Sequence, residues 1–142
     1  MKGMRQMGWL ARLGKLSGQS AAQPTAKQIA GQAGEDAALA HLLQHGLTLV
    51  ERNFRCKGGE IDLIMHERMQ NREALVFVEV RKRADLRHGG AAASVTPRKQ
   101  ARLILAAQLF LQQRYRTPPA CRFDVIAIDG DALNWIRNAI EA

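Results

Sequence analysis

The chain has 142 residues, 46% of them hydrophobic, with 21 Lys and Arg against 13 Asp and Glu and a formal net charge of +8. That length suits one domain with its own core, and no stretch approaches the roughly 18 consecutive apolar residues of a membrane-spanning helix. The charge excess attracts polyanions, nucleic acid first and an anionic membrane surface second; a solvated basic surface is the plain alternative. Cys56 and Cys121 have no metal-ligand or redox spacing, so they read as buried thiols of a cytoplasmic protein. The N-terminus has basic residues but no long apolar core, which argues against a secretory signal.

Residues 1–30 contain five Lys and Arg and no acid, and read as a loosely ordered basic arm. Within it, Trp9, Leu10, Leu13 and Leu16 fit one face of a short amphipathic helix. The folded domain is predicted over 31–142. Ala33, Ala37, Ala40 and Leu43 recur at helical spacing before Gly46, giving a first helix over about 32–45. His41 and His45 on it have zinc-compatible spacing but no third ligand, and read as facing solvent. Two strands, 47–55 and 60–66, flank the turn Lys57-Gly58-Gly59 as a hairpin. After a polar connection over 67–73, Leu75 to Val80 is apolar enough for a central strand covered on both faces. A long loop over 81–98 leads to Thr96 as N-cap and Pro97 as first residue of a second helix, ending near Tyr115. Strands at 122–128 and 132–137, joined at Asp129-Gly130-Asp131, complete an αβββαββ order. The fold class is therefore α/β, with a mixed central sheet flanked by helices.

Side chains two apart share a face of a strand. Glu60, Asp62 and Ile64 then face one way, and Ile61, Leu63 and Met65 the other; on the next strand Phe77, Glu79 and Arg81 oppose Val76, Val78 and Val80. If the strands are neighbours, Asp62 and Glu79 meet. An acid inside Leu75-Val76-Phe77-Val78-Glu79-Val80 is costly unless it is paired or bound to metal. Two arrangements satisfy that. A divalent cation such as Mg²⁺ takes one or two carboxylates, several waters and substrate phosphate. Alternatively, Glu79 pairs with Arg81, and Asp62 with Lys57 or Arg55.

Gly59-Glu60-Ile61-Asp62-Leu63-Ile64, Val76-Phe77-Val78-Glu79-Val80-Arg81 with Arg83, Lys99 opening a helix, Gly34-Glu35 and Arg122-Phe123-Asp124-Val125 together resemble the bacterial YraN-like family. The resemblance covers about residues 31–137. It implies a restriction-endonuclease-like fold, similar to archaeal Holliday-junction resolvases, whose signature is an Asp on one strand and Glu-x-Lys or Asp-x-Lys on the next. It implies that Asp62 and Glu79 hold Mg²⁺ or Mn²⁺ with the Val80 carbonyl as a third oxygen. Glu35 matches an acid that resolvase-like members supply from the first helix, or is a first-turn carboxylate favoured by the helix dipole. The signature Lys is Arg81 here. Arginine stays protonated and forks onto phosphate, so it can stabilise developing charge but cannot act as a base. Lys82 is adjacent but faces the other way.

From Arg81 to Arg102 there are seven basic residues and one acid, Asp85. Arg81, Lys82, Arg83, Arg87, Arg98, Lys99 and Arg102 form a predicted nucleic-acid surface, joined by the amides that open the second helix. Gly89-Gly90 gives this loop freedom to close on a backbone. The leading expectation is binding of structured or duplex nucleic acid, DNA and its branched forms included, with metal-dependent phosphodiester hydrolysis. The alternatives are a non-catalytic binding module that lost the signature lysine, and an interaction protein with a basic surface. The oligomeric state stays open, a dimer included.

Overall fold

The computed structural model describes residues 23–82 and 95–141. The Trp9–Leu16 face, the basic arm through residue 22, and the loop bearing Arg83, Arg87 and Gly89-Gly90 lie outside the described residues. The order is α1 (Ala26–Gln44), β1 (Thr48–Cys56), β2 (Gly59–Met69), β3 (Arg72–Lys82), α2 (Pro97–Arg114), β4 (Cys121–Asp129) and β5 (Ala132–Ile140). The strands form one sheet in chain order. Every adjacent pair is antiparallel except β3 and β4, which run parallel because α2 crosses between them.

The two helices cover opposite faces. Leu103, Ala106, Ala107 and Phe110 of α2 pack on Phe54, Ile61, Ile64, Phe77, Phe123 and Val125. Ala38 and Leu42 of α1 pack on Leu63, Met65, Val76, Val78, Val80 and Ile126. This is the αβββαββ sandwich expected from the alternating strands and the apolar run of β3.

Most boundaries differ from the sequence reading by extension. Helix α1 starts at Ala26, inside the segment assigned to the arm. Thr25 Oγ1 accepts the Gln28 amide at 3.1 Å and Gln28 Oε1 accepts the Thr25 amide at 2.8 Å. Those four residues carry a capping-box spacing that the helical run downstream overshadowed. The polar connection over 67–73 is largely strand, because cross-strand partners replace apolar burial: Arg68 Nη2 meets Glu73 at 2.9 Å. Cys121 is exposed and Cys56 half-buried, so neither is the fully buried thiol expected. His41 is half-buried, and both His41 and His45 meet Trp135 edge-on, at 5.8 and 5.6 Å, rather than simply facing solvent.

On the α1 face a buried ionic cluster ties β2, β4 and β5. Asp124, fully buried, accepts from Arg122 Nε at 3.0 Å, Trp135 Nε1 at 3.0 Å and the Asn138 amide at 2.8 Å. The last bond satisfies the backbone where the β4–β5 register shifts and Asn138 takes φ 52°. Glu67 accepts from Arg122 and Arg137. Burial pushes the Glu67 carboxyl up, but the two guanidinia hold it below its ordinary value. The Arg122-Phe123-Asp124-Val125 motif is thus a joint of the sheet.

Gly58 and Gly59 set the distance between α2 and the hairpin. Gly58 turns the chain at φ 89°. A Cβ on Gly59 would stand 2.3 Å from the Arg102 carbonyl oxygen, so the helix backbone rests directly on this glycine. Gly59→Ala is expected to cost about 3 kcal/mol by forcing α2 off β2. Chemical denaturation of the two proteins checks this; equal midpoints would mean that the helix yields freely.

Candidate active site

The β2–β3 ladder runs from Met69 with Arg72 to Leu63 with Val78 and ends there. One more step in register would pair Asp62 with Glu79. Instead, Asp62 Oδ2 accepts the Val80 amide at 2.8 Å, so a side chain stands where a ladder bond would. Strand alternation breaks at the same place. Ile61 packs with Ile64 on the α2 face, although strict parity puts it with Leu63. Asn53 of β1, between the pairs Arg52–Leu63 and Phe54–Ile61, lies opposite Asp62 and takes φ 52°. The parity reading of β3 holds: Val76, Val78 and Val80 face α1 while Phe77 faces α2.

Glu79 and Arg81 line a cleft of about 150 Å³ together with Glu60, Lys99 and Arg102. Burial pushes the Asp62 carboxyl up to about 6, against the pull of the Val80 amide, with the charges of Glu35 and Glu60 adding to the rise. Burial and the neighbouring Asp62 charge push Glu79 up to about 8, although Arg81 and Lys99 favour its ionised form. The predicted ion pairs therefore do not neutralise this couple, and Arg55 contacts Glu60 at 3.7 Å. Arg81 Nε is buried and has no hydrogen-bond partner among the described residues.

The other sequence-predicted residues divide. Lys99 and Arg102 border the cleft; Arg98 is exposed on the same first turns of α2 without lining it. Lys82 runs along α1, where a Cβ on Gly34 would stand 2.5 Å from its Cε, so Gly34 makes room for the lysine stem. Glu35 lies 3.8 Å from Arg52 and acts on Asp62 through its charge. Helix α1 begins nine residues before it, which overturns the first-turn reading of Glu35. Arg83 and Arg87 lie outside the described residues. Two participants were missed. Glu60 borders the cleft, and its parity with Asp62 was the available signal. Arg52 holds Glu35 and Asp36 from β1, and nothing local in the sequence indicates that pairing.

Two hard carboxylate oxygen donors, each holding its proton more tightly than usual, fit a divalent cation better than they fit each other. No group of three or more His, Cys, Asp or Glu side chains forms a ligand set among the described residues. A cation here would rest on Asp62, Glu79, backbone and water. Val80 suits the backbone role: an amide and carbonyl of one strand residue point to the same side, and the Val80 amide already points at Asp62.

A five-stranded mixed sheet between two helices, with an acid where β2 and β3 part, is consistent with the restriction-endonuclease-like class of α/β proteins. The description "Uncharacterised protein family UPF0102" matches residues 34–128, and the chain belongs to that family. It is 69% identical over 118 residues to a UPF0102 protein of Herminiimonas arsenicoxydans, covering 83% of this chain and 91% of that one. It is 64% identical over 118 residues to a UPF0102 protein of Janthinobacterium sp. (strain Marseille), covering 83% and 92%. The UPF0102 protein of Acidovorax sp. (strain JS42) is 50% identical over 139 residues, covering 96% and 99%. Among the described residues, no helix is long and apolar enough to cross a membrane.

The raised carboxyls fix the sign of a pH effect. A carboxyl that titrates higher in the fold than in the open chain stabilises the fold below its ordinary value, and that gain is lost as pH rises through its folded value. Without metal, stability should therefore fall between about pH 4.5 and about pH 8. Glu79→Gln should flatten that fall and melt higher at pH 8, by roughly 3–5 °C for each kcal/mol relieved. Thermal melts of both proteins in a chelator across this range are the check; parallel profiles would mean that Glu79 is not the group responsible.

Proposed function

We propose that this protein binds structured or duplex nucleic acid and hydrolyses phosphodiester bonds with Mg²⁺ or Mn²⁺. One observation carries the reading: two half-buried acids, both raised, whose Glu79 opens on a cleft bordered by Arg81, Lys99 and Arg102. A structural ion pair would lower both carboxyls, and a purely basic patch would not set two half-buried acids beside it.

In this mechanism Asp62, Glu79 and the Val80 carbonyl would hold the cation, which would supply Lewis-acid chemistry at the phosphate. Lys99, Arg102 and the opening amides of α2 seat the phosphate. Arg81 presents a fixed positive charge to the phosphoryl oxygens as their charge grows, and takes no proton from water. Arg81 Nε is itself buried, so bulk water screens that charge less than it would at the surface. Arg81 in the place of the signature lysine also supports a second reading, a binding module without turnover.

Single-turnover cleavage of a labelled four-way junction in Mn²⁺ separates the two readings. Asp62→Asn should be at least ~100-fold slower than wild type, and Arg81→Lys should match or exceed wild type. Junction binding with no cleavage in wild type selects the non-catalytic module. Equal residual cleavage in wild type and Asp62→Asn marks a contaminating nuclease and removes the enzyme claim.

The basic surface makes a separate demand. DNA affinity should fall with salt at a log–log slope of about −0.9 per phosphate neutralised. Replacing Arg98, Lys99 and Arg102 with Ala should make that slope shallower by up to about three such steps. Binding titrations at several salt concentrations measure it, and a salt-indifferent affinity points instead to an interaction protein.

A further inference from the structure

Asp62 stands between two clefts of different chemistry. On the Glu79 side is the small basic cleft. On the other side is a larger open one of about 730 Å³, between the start of α1 and β1, which includes Gln28, Gln32, Glu35, Arg52, Asn53 and Arg55 in its lining. Two of these residues tie it to the acid pair. Asn53 lies directly across the β1–β2 register from Asp62, and the Glu35 charge is felt at Asp62. A chain held with its phosphate at Asp62 and Glu79 therefore has the basic cleft on one side and this one on the other.

Among the described residues, the arginines of the larger cleft are already engaged by acids. Arg52 is engaged by Asp36 at 2.7 Å and Glu35 at 3.8 Å, and Arg55 by Glu60 at 3.7 Å. What the cleft offers instead is side-chain amides. Gln28 is committed to the α1 cap, but Gln32 and Asn53 are exposed, each with a carbonyl acceptor and an NH₂ donor side by side. That pairing complements the donor–acceptor edges of nucleobases. In a duplex an amide reaches only the groove edges of a base, whereas an unpaired base turned into a pocket also presents its Watson–Crick edge, which suits an amide-lined pocket beside the cleaved bond.

Resting on the nuclease-like reading of Asp62 and Glu79, we propose that this cleft receives unpaired nucleotides adjoining the phosphate at the acid pair. The preferred substrate is then a duplex that continues into a single strand, as at a tail, flap or branch. Duplex phosphates lie on the Lys99–Arg102 side, and the first unpaired bases lie against Gln32 and Asn53.

The test is fluorescence-anisotropy binding by the full chain with Ca²⁺ in place of Mg²⁺ or Mn²⁺, a dication of looser coordination that loads the acids, with the probes checked to stay uncut. The probes are a blunt DNA duplex and the same duplex with a 5′ or a 3′ single-stranded tail. Wild type should bind one tailed duplex roughly tenfold tighter than the blunt one, as one bidentate base contact allows. The double variant Gln32→Ala, Asn53→Gly should lose that preference and keep its affinity for the blunt duplex; glycine accepts the positive φ at 53. Because neither substitution changes charge, a preference due only to extra tail phosphates would survive in the variant and overturn the proposal. Equal wild-type affinity for blunt and tailed duplexes would overturn it as well. Failure to bind any of the probes would instead remove the nucleic-acid reading on which it rests.

Discussion

A β2–β3 ladder that continued past Leu63 and Val78 would close the space between the strands with backbone hydrogen bonds. The Val80 amide goes instead to Asp62 Oδ2 at 2.8 Å. That one exchange holds an acid between strands that no longer pair, and most features of the site depend on it. At the same step Ile61 turns onto the α2 face, Asp62 feels the charge of Glu35 while its own charge raises Glu79, and the left-handed Asn53 lies across from the break. The cost is a pair of carboxyls that resist ionisation together, a cost that bound cation would offset.

Such a break is tolerable only if the rest of the sheet is firmly registered. Parallel pairing of β3 with β4 runs unbroken from Leu75 with Cys121 to Lys82 with Ile128, which fixes Glu79 and Arg81 although β2 has left them. On the α1 face, Asp124 and Glu67 bind Arg122, Arg137 and Trp135 across three strands. Every partner there is a hydrogen-bonded ion or dipole, the condition under which buried charge is tolerated. The two acid groups of this sheet thus differ in kind: the buried one is neutralised by guanidinia, the half-buried one is left short of positive charge.

The shortage has a location. Arg81 and Lys99 favour the ionised form of Glu79 but do not bring it down to the ordinary range. Arg81 differs from lysine in being permanently charged and planar, so it suits charge stabilisation better than proton transfer. A cleft with two acids that resist ionisation at its floor and cations on its walls would suit a dication carrying a phosphate better than either alone.

The sequence by itself determined the element order, the two core faces of β3, and the candidacy of Asp62 and Glu79, because period-two burial and an acid within an apolar strand are local properties. It also placed the start of α2, since Thr96 caps the helix by accepting the Lys99 amide. The tertiary structure alone decided the relations between distant strands. Arg52 meets Glu35, Gly34 makes room for Lys82, and Arg122 joins Glu67 to Asp124, each across long stretches of chain that no periodicity records. It also decided where the β2–β3 ladder stops. Alternation predicts which face a residue takes while a strand stays regular, but the end of pairing depends on whether a side chain can outcompete a backbone carbonyl for one amide. At Val80 that competition goes to Asp62, and the break it makes in the pattern is the site.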